Sequence, residues 1–424
     1  MPIEHAVASL IDQFNSFIIP HAFQVGILVA PVALAILLGT IFWELWVDYV
    51  QGKQFLGLKY AVLELKLPKE TNKSPLAMEV VLTAVHNTSD GSFYARYWKG
   101  ETRPWYSLEL VSIEGNVKFY MWTEDRRKVN LMSALYSQYP GIEIKEVEDY
   151  ARSIHFDPKT MKMWADEFEL TQKDPWPIKT YVDYGLDKDP KEELKVDPMS
   201  PLLEFLGSVG PNQQVWFQIP IIAHKKEKRD PSHFFKRFDE WKEKHDKLKN
   251  EILLRDPKTK VAGHTIGESP FPVAPAYTKG ETEGVAALER HVLKYAFDCG
   301  IRAAYIAKKD AFNPPFGIGG CVGSMKHFGA EGYNGFKPNS KRWIQQFEYP
   351  WQDFMDVRRN RQSRLFLMAY KRRSFFYGPF KSPRLTLNSE ELATIYHFPG
   401  SVAQTPTLER VPSKKAQAPV NLPV

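Results

Sequence analysis

The sequence predicts an α+β protein: an N-terminal transmembrane helix followed by two ferredoxin-like (split βαβ) sheet domains, the second with an inserted helical hairpin. Three observations carry that expectation. A charge-free apolar stretch lies near the start, strand and helix patterns alternate in order from Tyr60 to Val147, and a Ser-Pro-Leu helix start occurs twice, at Ser74-Pro75-Leu76 and Ser200-Pro201-Leu202. The expected segments are 1–50 for an interfacial helix and anchor, 58–150 for the first domain, 160–399 for the second with a helical insertion at 231–299, and 400–424 for a proline-rich extended tail.

The anchor comes first. Thirty-one residues from Gln13 to Trp43 carry no formal charge at pH 7, and the last nineteen, Val25 to Trp43, are almost wholly apolar. At about 1.5 Å per helical residue those nineteen reach about 28 Å, close to the roughly 30 Å of a bilayer core. Ala33-Leu34-Ala35 has the small-x-small form of a signal-peptide cleavage site. However, no Lys or Arg occurs in residues 1–24, and these alanines lie inside the apolar run, so a retained anchor is the better reading. Lys53, Lys59, Lys66 and Lys69 follow the span, which by the positive-inside rule puts the N-terminus outside and the bulk in the cytoplasm. Trp43, Trp46 and Tyr49 fit an aromatic belt, and Pro31 predicts a bend in mid-span. Ahead of the span, Leu10, Ile11, Phe14, Phe17 and Ile18 recur at helical steps, as in a short interfacial helix.

In the first domain Tyr60 to Leu67 alternates as a strand, and Ser74 as N-cap with Pro75 at the first position opens a helix to about Val85. Trp105 to Ile113 and Val117 to Thr123 alternate again around the tight turn Glu114-Gly115-Asn116. Val129, Leu131, Leu135 and Tyr139 then step as a helix, Pro140-Gly141 stops it, and Ile142 to Val147 closes the domain as a strand. The resulting order β-α-β-β-α-β is the split βαβ arrangement. In the second domain the Ser200 helix precedes a strand from Val215 to Ala223. A charged helix from Pro231 to Leu254 and another from Thr282 to Cys299 interrupt it, their apolar stripes led by Phe234, Phe238, Trp241 and His245 and by Leu288 and Val292. Arg302 to Ala307 and Arg364 to Lys371 then resume strand character.

Only Cys299 and Cys321 occur, too few for a disulfide framework and free of any CxxC, which fits a reducing compartment. The chain contains no GxxxxGK[ST], so it carries no P-loop of its own, and it has no HExxH or GxSxG. Gly317 to Gly323 lacks GxGxxG spacing and reads as a loop before a helix, while Glu390 and Glu391, after Asn388-Ser389, read as caps. No cofactor or metal is expected.

Charge is spread unevenly. From Lys337 to Arg384 twelve Lys or Arg face three acidic residues, with Arg358, Arg359, Arg361, Arg364, Lys371, Arg372 and Arg373 interleaved among Trp343, Phe347, Trp351, Phe354, Phe375, Phe376 and Tyr377. Cations for phosphates and flat faces for bases are what single-stranded nucleic acid needs. The same composition also fits a surface facing anionic lipid or a solvated face over an aromatic core. In the tail, Pro406, Pro412, Pro419 and Pro423 mark a strap that could hold a neighbour.

Ser200-Pro201-Leu202 through Gln213 to Ile219, and Leu387 to Gly400 with Pro419, Leu422 and Pro423 behind it, resemble the N-terminal, non-motor half of coupling-protein-like ATPases of type IV secretion and conjugation. The resemblance implies a non-enzymatic, membrane-anchored component. Its implied partners are a separately encoded P-loop ATPase motor, nucleic acid, the lipid bilayer and further copies of the chain. It carries over no catalytic residue. The rival expectation is a membrane-tethered enzyme assembled from scattered residues around Gly319 and Cys321.

Overall fold

A computed structural model describes residues 19–68, 73–172, 175–188, 196–230, 233–252, 279–339, 343, 347, 349–400 and 410–411. The elements in chain order are α1 (Ile19–Gly57), β1 (Tyr60–Pro68), α2 (Leu76–Val85), α3 (Phe93–Trp98), β2 (Trp105–Ile113), β3 (Asn116–Glu124), α4 (Lys128–Gln138) and β4 (Glu143–Val147). They continue with β5 (Met161–Leu170), α5 (Ser200–Gly207), β6 (Gln213–Ala223), β7 (Lys228–Asp230), β8 (His233–Phe238), α6 (Glu240–Ile252), α7 (Lys279–Leu293), β9 (Ala296–Cys299) and β10 (Ile301–Lys308). Last come α8 (Pro314–Met325), β11 (Phe336–Pro338), α9 (Val357–Lys371), β12 (Leu385–Asn388), α10 (Ser389–Ile395) and β13 (Arg410–Val411).

The chain forms two compact units. Of the described residues, those up to 57 with 90–102 make one, and those of 58–89 with those from 103 onward make the other. In the first, α1 runs through Pro31 without a break and is long and apolar enough to cross a bilayer or to act as a signal sequence. The interfacial helix expected at residues 10–18 lies outside the described residues.

The second unit is built on one mixed α+β sheet whose strands run β11-β5-β10-β6-β2-β3-β1, with β4 on the far side of β1. All these pairings are antiparallel. The two halves repeat one order: β4-β1-β3-β2 in the first and β11-β5-β10-β6 in the second place the fourth strand beside the first, then the third, then the second. They join where β2 meets β6, from Trp105 opposite Ile222 to Ile113 opposite Gln214. The sheet is therefore continuous across the β2–β6 pairing.

Tight turns set the register. Glu114 at φ 53° and Gly115 at φ 87° make a two-residue turn between β2 and β3, the conformation that matches strand twist. On one face Leu63, Leu65, Leu108, Leu110, Phe119 and Phe217 alternate inward and meet apolar residues of α2, α4, α5, α8 and α10. Each such side chain fully buried contributes about 1.5–3 kcal/mol.

The other face is polar where its rows cross. Glu167 pairs with Arg302, Arg302 with Gln218, Gln218 with Glu109, Glu109 with Tyr120, Tyr120 with Glu64, and Glu64 with Lys145. Residues opposite one another share a face. Helix α9 covers the middle of this row, and Arg373, two residues past its end, pairs with Glu109 in it. Arg373 Nε and Nη2 donate to the two oxygens of Glu109 at 2.9 and 3.0 Å, Nη2 also reaches Asp149 Oδ1 at 2.9 Å, and Nη1 binds Asp149 Oδ2 and the Lys371 carbonyl. All five N–H groups are used. Glu109 accepts in addition from Ser107, Gln218 and Tyr150.

Several sequence expectations are corrected. Arg364 to Lys371 is helix, not strand, because Ser363, Phe366, Leu367 and Tyr370 recur at three- and four-residue steps and are the buried side. The first inserted helix starts at Glu240, where Asp239 Oδ1 accepts from Lys242 N, and the chain before it forms the hairpin β7–β8, so Phe234 and Phe238 lie on a strand. The second inserted helix ends at Leu293, and Ala296–Cys299 pairs with β6 and β12, an apolar run too short for periodicity to decide. Gly317 to Gly323 lies inside α8, whose Asn313 N-cap accepts from Phe316 N; at Gly317 and Gly320 a Cβ would fall 2.2 Å from Tyr305 and 1.9 Å from Phe205. At the first Ser-Pro-Leu, Ser74 Oγ accepts from Leu76 N at 3.4 Å and donates to the Leu186 carbonyl, and at the second the turn before Ser200 is held by Asp197.

Removing one partner of a buried ion pair leaves the other desolvated and uncompensated. Arg373→Ala should therefore cost about 3–5 kcal/mol of stability, read as a lowered urea midpoint of the detergent-solubilised chain; a loss below about 0.5 kcal/mol would contradict the fork, being the range of ordinary surface substitutions.

Candidate functional site

The basic run expected to form one surface is divided by the fold. The helix bearing it begins where the Asp353 carboxylate accepts from Arg358 N and Arg359 N at 2.7 and 2.8 Å, just after Met355 and Asp356 take left-handed φ values of 55° and 57°. Arg359 then pairs with Asp356 at 3.0 Å, and the Arg358 guanidinium lies 5.2 Å over the Phe347 ring. Arg361, Arg364 and Arg372 are exposed. Lys371 is half-buried, its Nζ donating to the Ile154 carbonyl, and burial lowers its pKa. Arg373 is buried and cannot meet a ligand. The aromatics divide in the same way: Trp343, Phe375 and Phe376 are core, while Tyr349 and Trp351 stack at 4.7 Å and, with Phe354, face outward. What remains is a lip of Tyr349, Trp351, Phe354, Arg358, Arg361 and Arg364. The tail prolines Pro406, Pro412, Pro419 and Pro423 lie outside the described residues, and Arg410–Val411 pairs in parallel with Leu67 and Pro68 of β1.

Two histidine clusters fasten the insertion between β6 and β9. At its base His224 sits between Asp298, 2.6 Å from Nδ1, and Asp239, 3.2 Å from Nε2. Burial alone would lower its pKa, but the two carboxylates outweigh this and raise it to about 9. Within the helical hairpin, His291 Nε2 lies 2.6 Å from Glu391 Oε2, its Nδ1 lies 2.8 Å from His245 Nε2, and His245 Nδ1 is 3.3 Å from the Trp241 carbonyl. Acceptors close both ends of this row. Burial and the neighbouring ring push His245 down to about 3. Glu391 also forms a capping box with Asn388, and Glu390 accepts from Thr180 and Arg290. His291 and these two carboxylates thus pin α7 to α10.

Cys321 lies buried inside α8 and burial pushes its thiol well up, away from a reactive thiolate. The cavity lined by Glu167, Phe168, Asn339, Phe375 and Leu385 holds about 210 Å³, below the roughly 300–1,000 Å³ of ligand pockets. Among the described residues no grouping of three His, Cys, Asp or Glu could hold a metal ion.

Residues 56–311 match a family model described as a domain of unknown function, DUF8128. The chain belongs to that family. The match takes in the sheet from β1 to β10 with the insertion, and stops before α8, so the α9 lip lies beyond the matched segment. No curated protein matches the chain.

Sequence reasoning missed α3, although Phe93-Tyr94-Ala95-Arg96-Tyr97-Trp98 packs four aromatics into six residues and could have been flagged by that density. It also missed the histidine row, whose members lie 46 and 100 residues apart.

For His224 the folded pKa lies above the ordinary histidine value of 6.5. Its contribution is therefore fully present below about pH 6.5 and lost as the pH rises through about 9. The urea midpoint should fall over that interval, and His224→Gln should flatten the fall; an identical pH dependence in both chains would refute the charged clamp.

Proposed function

We propose that this chain is a membrane-anchored, non-catalytic component of a conjugation or type IV secretion-like apparatus. It crosses the cell membrane once through α1, with the N-terminus outside and the body in the cytoplasm. Support comes from the absence of Lys and Arg in residues 1–24 against Lys53, Lys59, Lys66 and Lys69 after the span. We read each half of the sheet as a ferredoxin-like unit, because its strand order, with helices on the shared apolar face, is that of the split βαβ motif. Through its tail the chain docks a P-loop motor made as a separate polypeptide.

The observation that carries the reading is the α9 lip. Arg358, Arg361 and Arg364 are exposed on α9 and Tyr349, Trp351 and Phe354 are exposed on the segment just before it, while Arg373 is turned inward and paired with Glu109 and Asp149. Such a surface binds an anionic chain by cation pairing and base stacking without performing chemistry on it. Every cation withdrawn from the phosphates of a single strand lowers the salt slope of binding by about 0.7. The triple variant Arg358→Ala/Arg361→Ala/Arg364→Ala in the full chain should bind a labelled single-stranded oligonucleotide at least about tenfold more weakly, with a slope reduced by about 2. Fluorescence anisotropy across a salt series measures both, and unchanged affinity and slope would remove the nucleic-acid role.

A further inference from the structure

Residues 90–102 leave the large unit between α2 and β2 and belong instead with the apolar helix α1. Their local structure explains the excursion. Gly91 and Gly100 take φ of +80° and +74°, Asp90 pairs with Arg96 at 2.9 Å, and Ser92 Oγ accepts from Ala95 N to start α3. At Gly100 a Cβ would lie 2.4 Å from the Val50 carbonyl oxygen, so the loop touches the backbone of α1 itself. Trp46 Nε1 donates to the Tyr97 carbonyl at 3.0 Å, and the Trp43 ring lies 5.3 Å from Tyr97 and 6.0 Å from Trp98. Helix α3 is thereby held beside α1 between Trp43 and Val50.

What α3 does not do is bury itself. None of its six residues is buried, and Phe93, Tyr94 and Trp98 are 67%, 60% and 48% exposed. A six-residue helix is too short to be stable in water on its own, and three outward rings cost it more. Its height along α1 identifies the cover. The apolar run ends at Trp43, so positions 43 to 50 lie within about 11 Å of the end of the hydrocarbon segment, at about 1.5 Å per residue. Tyr49, 63% exposed, and Trp46 occupy the same level. Rings with one apolar and one polar end favour this boundary. The cations fit as well: Arg96 lies 5.4 Å over Tyr97 and Lys99 5.8 Å over Tyr94, which sets positive charge among the rings at the level of lipid phosphates.

We infer that α3 is a membrane-interface foot: Phe93, Tyr94 and Trp98 enter the boundary between headgroups and acyl chains, and Arg96 and Lys99 meet the headgroup phosphates. The inference rests on α1 spanning the bilayer, as proposed above. With the foot in place, residues 57–58, 89–90 and 102–103 give three chain connections between the membrane-bound unit and the body instead of one.

The test uses the full chain in nanodiscs of mixed zwitterionic and anionic lipid, with a bimane fluorophore on Tyr94→Cys, Leu34→Cys or Val129→Cys; the native Cys299 and Cys321 are buried. Nitroxide lipids labelled at a shallow or a deep acyl position, and aqueous iodide, serve as quenchers. The foot requires the Tyr94→Cys probe to be quenched by shallow nitroxide and at least severalfold less by iodide than the probe at Val129→Cys, an exposed site on α4. Deep quenching at Leu34→Cys with free iodide access at Tyr94→Cys would overturn the foot and leave the span standing. Loss of lipid quenching at both sites would overturn the span and the foot together. Shielding of Tyr94→Cys from both quenchers would put protein over α3 and equally reject the proposal.

Discussion

A guanidinium sealed against a sheet is the constraint on which the large unit depends. Arg373 lies just past the last residue of α9, and its left-handed φ of 49° turns the chain away from that helix. Its five donors meet Glu109 on β2, Asp149 after β4 and the Lys371 carbonyl. An ion so placed gives no stability for free, because desolvation opposes the attraction. What it gives is position: β2, the chain at Asp149 and α9 each supply part of one site, and a different docking of α9 would leave a charge buried without a partner. Tyr150 and Tyr370, whose hydroxyls lie 2.9 Å apart, complete the arrangement. The outward side of α9 inherits that fixed position, and with it the placement of Arg358, Arg361 and Arg364.

The two faces of the sheet divide the work. The apolar face supplies cohesion through Leu, Phe and Met packed under five helices, and it is the same in character across both halves. The polar face supplies specificity through a row running from Glu167 to Lys145. Arg302 shows what that costs, since Nε and Nη1 have no hydrogen-bond partner and burial lowers its pKa to about 10. The insertion is tied on by the same kind of bond, His224 between two aspartates at its base and His291 on Glu391 farther along. Buried charges in this protein hold elements in register.

What could be read from the sequence followed from local rules. The long apolar helix α1 showed in a run without charge, β1 to β4 with their two helices showed in periods of two and of three to four, and β6 and β10 showed likewise. Where the pattern failed, the reason was physical. Arg364 to Lys371 alternates well enough for a strand, and only Ser363 and Phe366 buried against the sheet make it a helix. Glycines at 317 and 320 look like a loop until Tyr305 and Phe205 are seen to need the space. Arg373 looked like its exposed neighbours because its partner Glu109 is 264 residues away, and a run of cations reads as solvated until the fold selects one. The single sheet was hidden too, since β2 and β6 meet across about a hundred residues of sequence, beyond the reach of any local pattern.

Residence in the membrane is the property from which the proposed role follows. Alkaline carbonate extraction of cells making the full chain, followed by protease treatment of intact and of lysed spheroplasts, measures anchoring and sidedness together. The expected result is a chain retained in the membrane pellet, with the body digested only after lysis. A chain released into the supernatant, or a body digested from outside intact spheroplasts, would contradict that role.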